Sequence, residues 1–538
     1  MTTTRNVALL ALVLAAAPSA RADEGGALNQ AILAYNDSFN AALASTRQAK
    51  LVEAALGFYD VEQNSGVDES RFKAQYYLAQ SLFELGLPFS ALSYYTQLIK
   101  AGPSQPFFTR AIEGAVKVAE TMKDETFVPT IIDKAYSGEF GNVAPEARGK
   151  VHFIIGRGDY RRDKYSEGLK FLRAVPPENP YYASARYIEG LILSRGVPEK
   201  GVAPDPDKAL KAFEEVRKLQ SNDKVKYVDL ESVQDLSQVA LARLHYALGN
   251  YQKSADNYNA IPKYDRAWKP GEPERYSPYW EESLFEGAWA DFMNDDPGGA
   301  LGKLQTLHSP ALADSFQPES WVLKATIYYY SCLFEQAKAA VDQYDKIYAP
   351  MNETIKPLIE QNREPEYYFN LVAGDQAAGG SALPVPIRLF LEKNERYKGF
   401  LNFGAELDKE SSFLDAADGL KASQLAKDLL DIIGRQRGGL AVSAGKFIRG
   451  RLKDVSDILG NFDGQVEIVR LETSTKEKEL LESNDDPISR LNGEALYRPV
   501  VPDESYEYWA FQGEYWPDEL GFYKYTLKNA CPSTDKKK

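Results

Sequence analysis

The stretch from Pro318 to Pro350 reads PESWVLKATIYYYSCLFEQAKAAVDQYDKIYAP, the pattern of two short helices back to back. Small Ala325 lies midway along the first. Phe334 falls in the turn, and small Ala337 opens the second ahead of Val341 and Tyr344. A large side chain beside a small one, twice, lets two antiparallel helices approach closely and leaves an apolar ridge outside. One such hairpin cannot bury its own faces, so it needs copies of itself as neighbours.

The chain supplies them. In RFKAQYYLAQSLFELGLPFSALSYYTQLIKAGP, Ala79 lies beside Leu78 and Leu82, and Ala91, Tyr95 and Leu98 follow before Pro103. Ala79 and Ala91 are twelve positions apart, as are Ala325 and Ala337. The same template fits Gly156, Tyr165, Gly168 and Leu172, then Gly190, Ala209, Phe213 and Val216, then Ala242, Gly249, Tyr251, Ser254 and Tyr258. The copy at Gly190 carries the insertion GVPEKGVAPDPD, whose prolines and glycines mark a surface loop. Weaker copies cover Phe107–Tyr136 and Tyr279–Leu307, the latter through Gly287 or Ala288, Ala300 and Leu304.

The size alternation, the spacing and the closing prolines resemble the tetratricopeptide repeat (TPR) family over Ser70–Pro350. The resemblance implies an all-α solenoid that presents an extended surface to other proteins. Before it, residues 23–69 read as an N-terminal helical cap. After it, residues 351–482 read as a helical hairpin domain: the helical pattern breaks near Lys409–Ser412, a bend falls at Gly434, Gly438 and Gly439, and a heptad seam follows at Ile448, Leu452, Val455, Leu459, Phe462, Val466 and Val469. Polar Glu472–Glu479 is expected to carry that helix on into solvent. Residues 483–538 form an aromatic segment, YEYWAFQGEYWPDELGFYKYTLKNAC at its centre, expected to lie across the helical body with a short strand pair.

Composition bounds the function. The 538 residues carry a net charge of -14, which disfavours nucleic acid as a partner. Arg5, the apolar run Val7–Ala17 and Ala20-Arg21-Ala22 make residues 1–22 a signal peptide, with Asp23 as the first mature residue. No cysteine follows the apolar run, so a lipoprotein anchor is not expected, and nothing later approaches the ~18 apolar residues of a membrane span. The expected location is the periplasm. There a disulfide between the two cysteines, Cys332 and Cys531, is permitted, and two free thiols are the alternative. With the tail on the C-terminal part of the repeats, such a bond would pin it over the exposed face of the last one.

Catalytic patterns are absent from the sequence. There is no HExxH, CxxC or GxSxG, and three histidines are spread along the chain. GGLAVSAGKF is not a phosphate loop: five residues separate Gly439 from Gly445 where four are required, and Phe447 replaces the hydroxyl residue. No cofactor or metal is therefore expected, nor enzymatic activity. One charge anomaly stands out. Arg435, Arg437, Lys446, Arg449, Arg451 and Lys453 have no acid among them between Gly434 and Asp454, which reads either as a solvated helix face or as a contact with an anionic envelope surface.

Signal peptide, repeat array and the GEYWPDELGFYKY tail together resemble exported TPR proteins of myxobacteria, some of which belong to envelope-spanning gliding-motility machinery. The resemblance implies a scaffold whose partners are other envelope proteins. A cell-wall protein that binds or processes glycans, with the aromatics as stacking platforms, is the competing reading. It requires two convergent carboxylates that no spacing here signals.

Overall fold

The computed structural model describes residues 25–122, 131–132, 143, 145–265, 269, 272, 276–373, 383–483, 513–527 and 529–531. The expected signal peptide, most of the expected second helix of the copy at Phe107–Tyr136 and the aromatic residues Tyr506, Tyr508, Trp509 and Phe511 lie outside them. The chain is all-α: among the described residues the β-contacts are isolated bridges such as Val197–Val202 and Tyr264–Tyr276. No described helix is long and apolar enough to cross a membrane.

Two compact units divide the chain, one of Met1–Ala185 with Glu395–Ala441, the other of Arg186–Asn394 with Val442–Lys538. In the first, α1 (25–39) and α2 (Ala44–Asn64) precede α3 (Asp68–Glu84), α4 (Pro88–Lys100), α5 (Phe108–Met122), α6 (Pro145–Arg161) and α7 (Tyr165–Arg173). Helix α8 (Tyr182–Arg195) passes into the second unit. That unit holds α9 (Pro206–Lys218), α10 (Leu230–Ala247), α11 (Tyr251–Asn259), α12 (Trp280–Met293), α13 (Pro297–Leu307), α14 (Glu319–Tyr330), α15 (Phe334–Glu360), α16 (Pro365–Ala373) and α17 (Val385–Glu392). Helix α18 (Glu395–Ala416) returns to the first unit, and α19 (Gln424–Glu482) starts there and ends in the second.

The pairs α3/α4 and α6/α7 in the first unit, and α10/α11, α12/α13 and α14/α15 in the second, share one local design. Seven positions after the small residue of the first helix the backbone turns left-handed, at Gly86 (φ 80°), Asp163 (59°), Gly249 (73°), Asp295 (61°) and Cys332 (55°). The next amide then reaches back over the turn, Leu87 to the carbonyl of Leu82, Lys164 to Asp159, Asn250 to His245, Asp296 to Asp291 and Leu333 to Tyr328, each at 2.8–2.9 Å. This Schellman closure satisfies a carbonyl that the helix end leaves orphaned. Nine positions after the small residue the second helix begins, at Pro88, Tyr165, Tyr251, Pro297 and Phe334.

The repeat positions are buried. Ala79, Ala91, Ala209, Ala242, Ser254, Ala325 and Ala337 are fully enclosed, and Tyr95 is 1% exposed. Glycine is used where a neighbouring helix comes too close for a side chain. A Cβ on Gly156 would lie 2.8 Å from Leu172 Cγ and 3.1 Å from the carbonyl oxygen of Gly168, and one on Gly190 would lie 2.5 Å from the ring of Phe213.

Three expectations are corrected. The bend at Gly434, Gly438 and Gly439 does not occur, because α19 is one helix from Gln424 to Glu482. None of these glycines has a positive φ, and the surrounding Leu, Ala, Arg and Gln favour helix. The stretch Lys409–Ser412 is likewise unbroken helix within α18. Pro350 does not end the repeat helix: α15 continues to Glu360 with Pro350 and Pro357 inside it. Burial of Tyr344, Tyr348 and Ile355, and bonds from the Tyr344 hydroxyl to Asp463 (2.8 Å) and the carbonyl of Leu459 (3.2 Å), offset the missing amides. Helix α19 carries Glu472–Glu479 onward as expected, largely exposed, with one side packed. Thr473 is 1% exposed, Lys338 donates to Glu477 at 2.6 Å, and Lys476 lies 4.7 Å over the Tyr329 ring. The heptad seam itself is buried at Ile448, Leu452, Val455, Leu459 and Val466.

Candidate interaction site

The second unit brings one far-separated segment to a helix pair. Cys332 and Cys531 form a disulfide, their Cα atoms 5.0 Å apart, within the ~7 Å that a bridge can span. The bond ties the tail residues 513–531 to the turn between α14 and α15. Next to it the amide of Ala530 donates to the carbonyl of Ser331 at 2.9 Å.

From the disulfide the tail runs across α13 with no helix among its described residues and a β-bridge position at Tyr525, and the rest of the expected strand pair falls on residues outside the described ones. Two glycines of α13, one turn apart, make room for it. A Cβ on Gly298 would sit 1.9 Å from the carbonyl oxygen of Tyr525, and one on Gly302 would sit 1.7 Å from that of Tyr523. The third member of the row, Thr306, accepts the amide of Gly521 at 3.0 Å, while Tyr525 donates to the carbonyl of Gly298 at 3.1 Å. Gln305 reaches the Tyr515 hydroxyl at 2.5 Å. Lys524 pairs with Asp296 at 2.9 Å, and Asp296 also caps α13 through the amide of Gly299. Burial would push the Asp296 carboxyl up, but that amide and the Lys524 amine hold it below the usual range. Under the tail, Leu520 and Ala530, each 1% exposed, join a core with Trp280, Leu284, Leu301, Leu304 and Leu323.

The same unit holds a half-buried basic cluster. The His308 ring stacks on Trp321 at 3.7 Å and its Nε2 meets Ser320 Oγ at 2.8 Å. Lys324 lies 5.1 Å over the same indole. Burial drives the Lys324 amine down to about 8 and the His308 ring well below its usual range.

The six cations on α19 do not form a bare patch. Arg435 pairs with Asp431 at 2.7 Å, Arg437 with Asp408, and Arg451 with Asp454 at 3.0 Å. Arg449 lies 5.9 Å over the Tyr368 ring, and Arg451 also covers Phe390 at 5.0 Å. Lys446 and Lys453 are exposed, without an ion-pair partner among the described residues. No group of acids, histidines and cysteines among the described residues has the arrangement to hold a metal.

Two features escaped the sequence reading. Gly298 and Gly302 sit four apart inside a helix, where each costs roughly 1 kcal/mol relative to Ala, so their spacing was a usable sign of close backbone approach. Glu410 gave no such sign. It is fully buried in the first unit, where it accepts the amides of Phe89 (2.5 Å) and Ser90 (2.9 Å) and the Ser90 hydroxyl (2.5 Å) at the start of α4.

Compared with protein-family models and with curated proteins, the chain matches none.

Proposed function

We propose that the protein is an exported, periplasmic interaction scaffold of TPR-like helical hairpins, a non-enzymatic component of a cell-envelope protein complex such as motility machinery. The observation that carries this reading is the recurrence of one hairpin, with the same small-residue spacing, left-handed turn residue and Schellman closure in five helix pairs. Repeated hairpins of this kind stack into binding surfaces rather than enclosing a reaction centre. Use of both cysteines in one disulfide fits an oxidising compartment. The leader-like residues 1–22 add the route to it.

Capture from envelope extract with the oxidised mature chain tests the reading. Recovery of a defined set of envelope proteins is the expected result. Retention on purified peptidoglycan, with no protein partner, replaces it with the glycan-binding alternative.

A further inference from the structure

We propose that the tail is a redox-released strap: the Cys332–Cys531 disulfide holds residues 513–531 over α13, and its reduction uncovers that face without unfolding the helices beneath. The choice of residue at the turn argues first. At the left-handed turn position the other four pairs place Gly86, Asp163, Gly249 and Asp295, residue types that tolerate positive φ. Only this pair places a cysteine there, with φ 55°. A side chain that the turn itself disfavours is retained for its sulfur.

The fastening of the strap argues second. It has no helix of its own and is laid on finished helices. Its anchoring amides are those of Gly521, Tyr525 and Ala530, donating to Thr306, Gly298 and Ser331. Helix α13 has a cap from its own residues, Asp296 Oδ1 to the amide of Gly299, and a Schellman closure with α12; the tail touches the cap only through Lys524 on the other carboxylate oxygen, Oδ2. With the bond intact, the tail's end is held beside its site at high effective concentration; without it, docking must offset the ordering of the whole segment.

The bond is reachable at one end. Cys332 is 2% exposed, whereas Cys531 is only partly buried. A dithiol reductant of the exported compartment supplies the two electrons. One of its thiolates attacks Cys531 Sγ, the protein S–S bond breaks, and Cys332 leaves as a thiolate that takes up a proton. The second thiol then attacks the mixed disulfide, which frees Cys531 as a thiol and leaves the reductant oxidised. Release bares Trp280 and the glycine-lined track of Gly298 and Gly302.

The test uses the full mature chain, oxidised or treated with dithiothreitol, together with Cys531→Ser and Cys332→Gly. Hydrogen exchange is followed in residues 513–531 and in α13, with far-UV circular dichroism alongside. Exchange in 513–531 is expected to rise about tenfold or more on reduction and in both variants, with helicity retained. Cys332→Gly keeps the turn in a residue type that favours it, so its effect reports the lost bond. Unchanged protection of 513–531 in the reduced chain and in both variants overturns the proposal. So does a loss of helical signal throughout, which makes the disulfide a staple of the fold rather than a latch.

Discussion

Glu410 shows how a single side chain can fix one helix on another. Helix α4 starts at Pro88 with no side-chain cap of its own from Leu87. Its first free amides are satisfied instead by a carboxylate from α18, far along the chain. Burial pushes that carboxyl up from 4.5 to about 7; the bonds from Ser90 and Phe89 pull the other way, and the charge of Glu406 adds to the rise. Because the folded value lies above the unfolded one, the folded state holds the proton longer. The associated stability is complete below about pH 4.5 and is lost as pH rises through about 7. Glu410→Gln removes the titration. Between pH 4 and pH 8 the native chain is therefore expected to lose about 3 kcal/mol relative to the variant. Urea midpoints at several pH values check this, and parallel curves for the two proteins would exclude a proton held at Glu410.

At the scale of elements, the hairpins were legible because their signal is geometric. A small residue and another twelve positions on mark a close crossing, as at Ala325 and Ala337, both fully enclosed. Ala325→Trp is expected to overpack this pair and to lower stability by roughly 1–3 kcal/mol or more, read as a drop in Tm. The long helix was misread for the opposite reason: glycine permits a turn without requiring one. At Gly438 and Gly439 an added Cβ meets nothing within 4 Å, and φ is not positive. Replacing either with Ala is thus expected to stabilise the chain by about 0.5–1 kcal/mol, measured by denaturant unfolding. Destabilisation there would mean that the chain does bend at these glycines. Glu410 was hidden because its partners lie hundreds of positions away, and local periodicity carries no record of such a pairing; Gly298 and Gly302 signalled a close approach but not what approaches.

At the scale of the molecule, charge decides what the six cations can do. A run without acids looks concentrated in one dimension, yet Asp408, Asp431 and Asp454 each take an arginine from it. Arg449 and Arg451 spend their side chains over Tyr368 and Phe390. That leaves Lys446 and Lys453 as the cations of this run without an ion-pair partner among the described residues, in a chain of net charge -14. At physiological ionic strength charges farther apart than about 8 Å are largely screened, so only cations at the contact itself attract an anionic membrane, and two unpaired lysines supply little. The expected result is that vesicles of anionic lipid bind the chain no better than neutral ones at about 0.15 M salt. Changing Arg435, Arg437, Arg449 and Arg451 together to Gln should lower thermal stability through the lost ring contacts while leaving vesicle binding flat. Salt-sensitive binding of the native chain that this variant loses would instead restore the anionic-surface reading and make the arginine pairs exchangeable contacts.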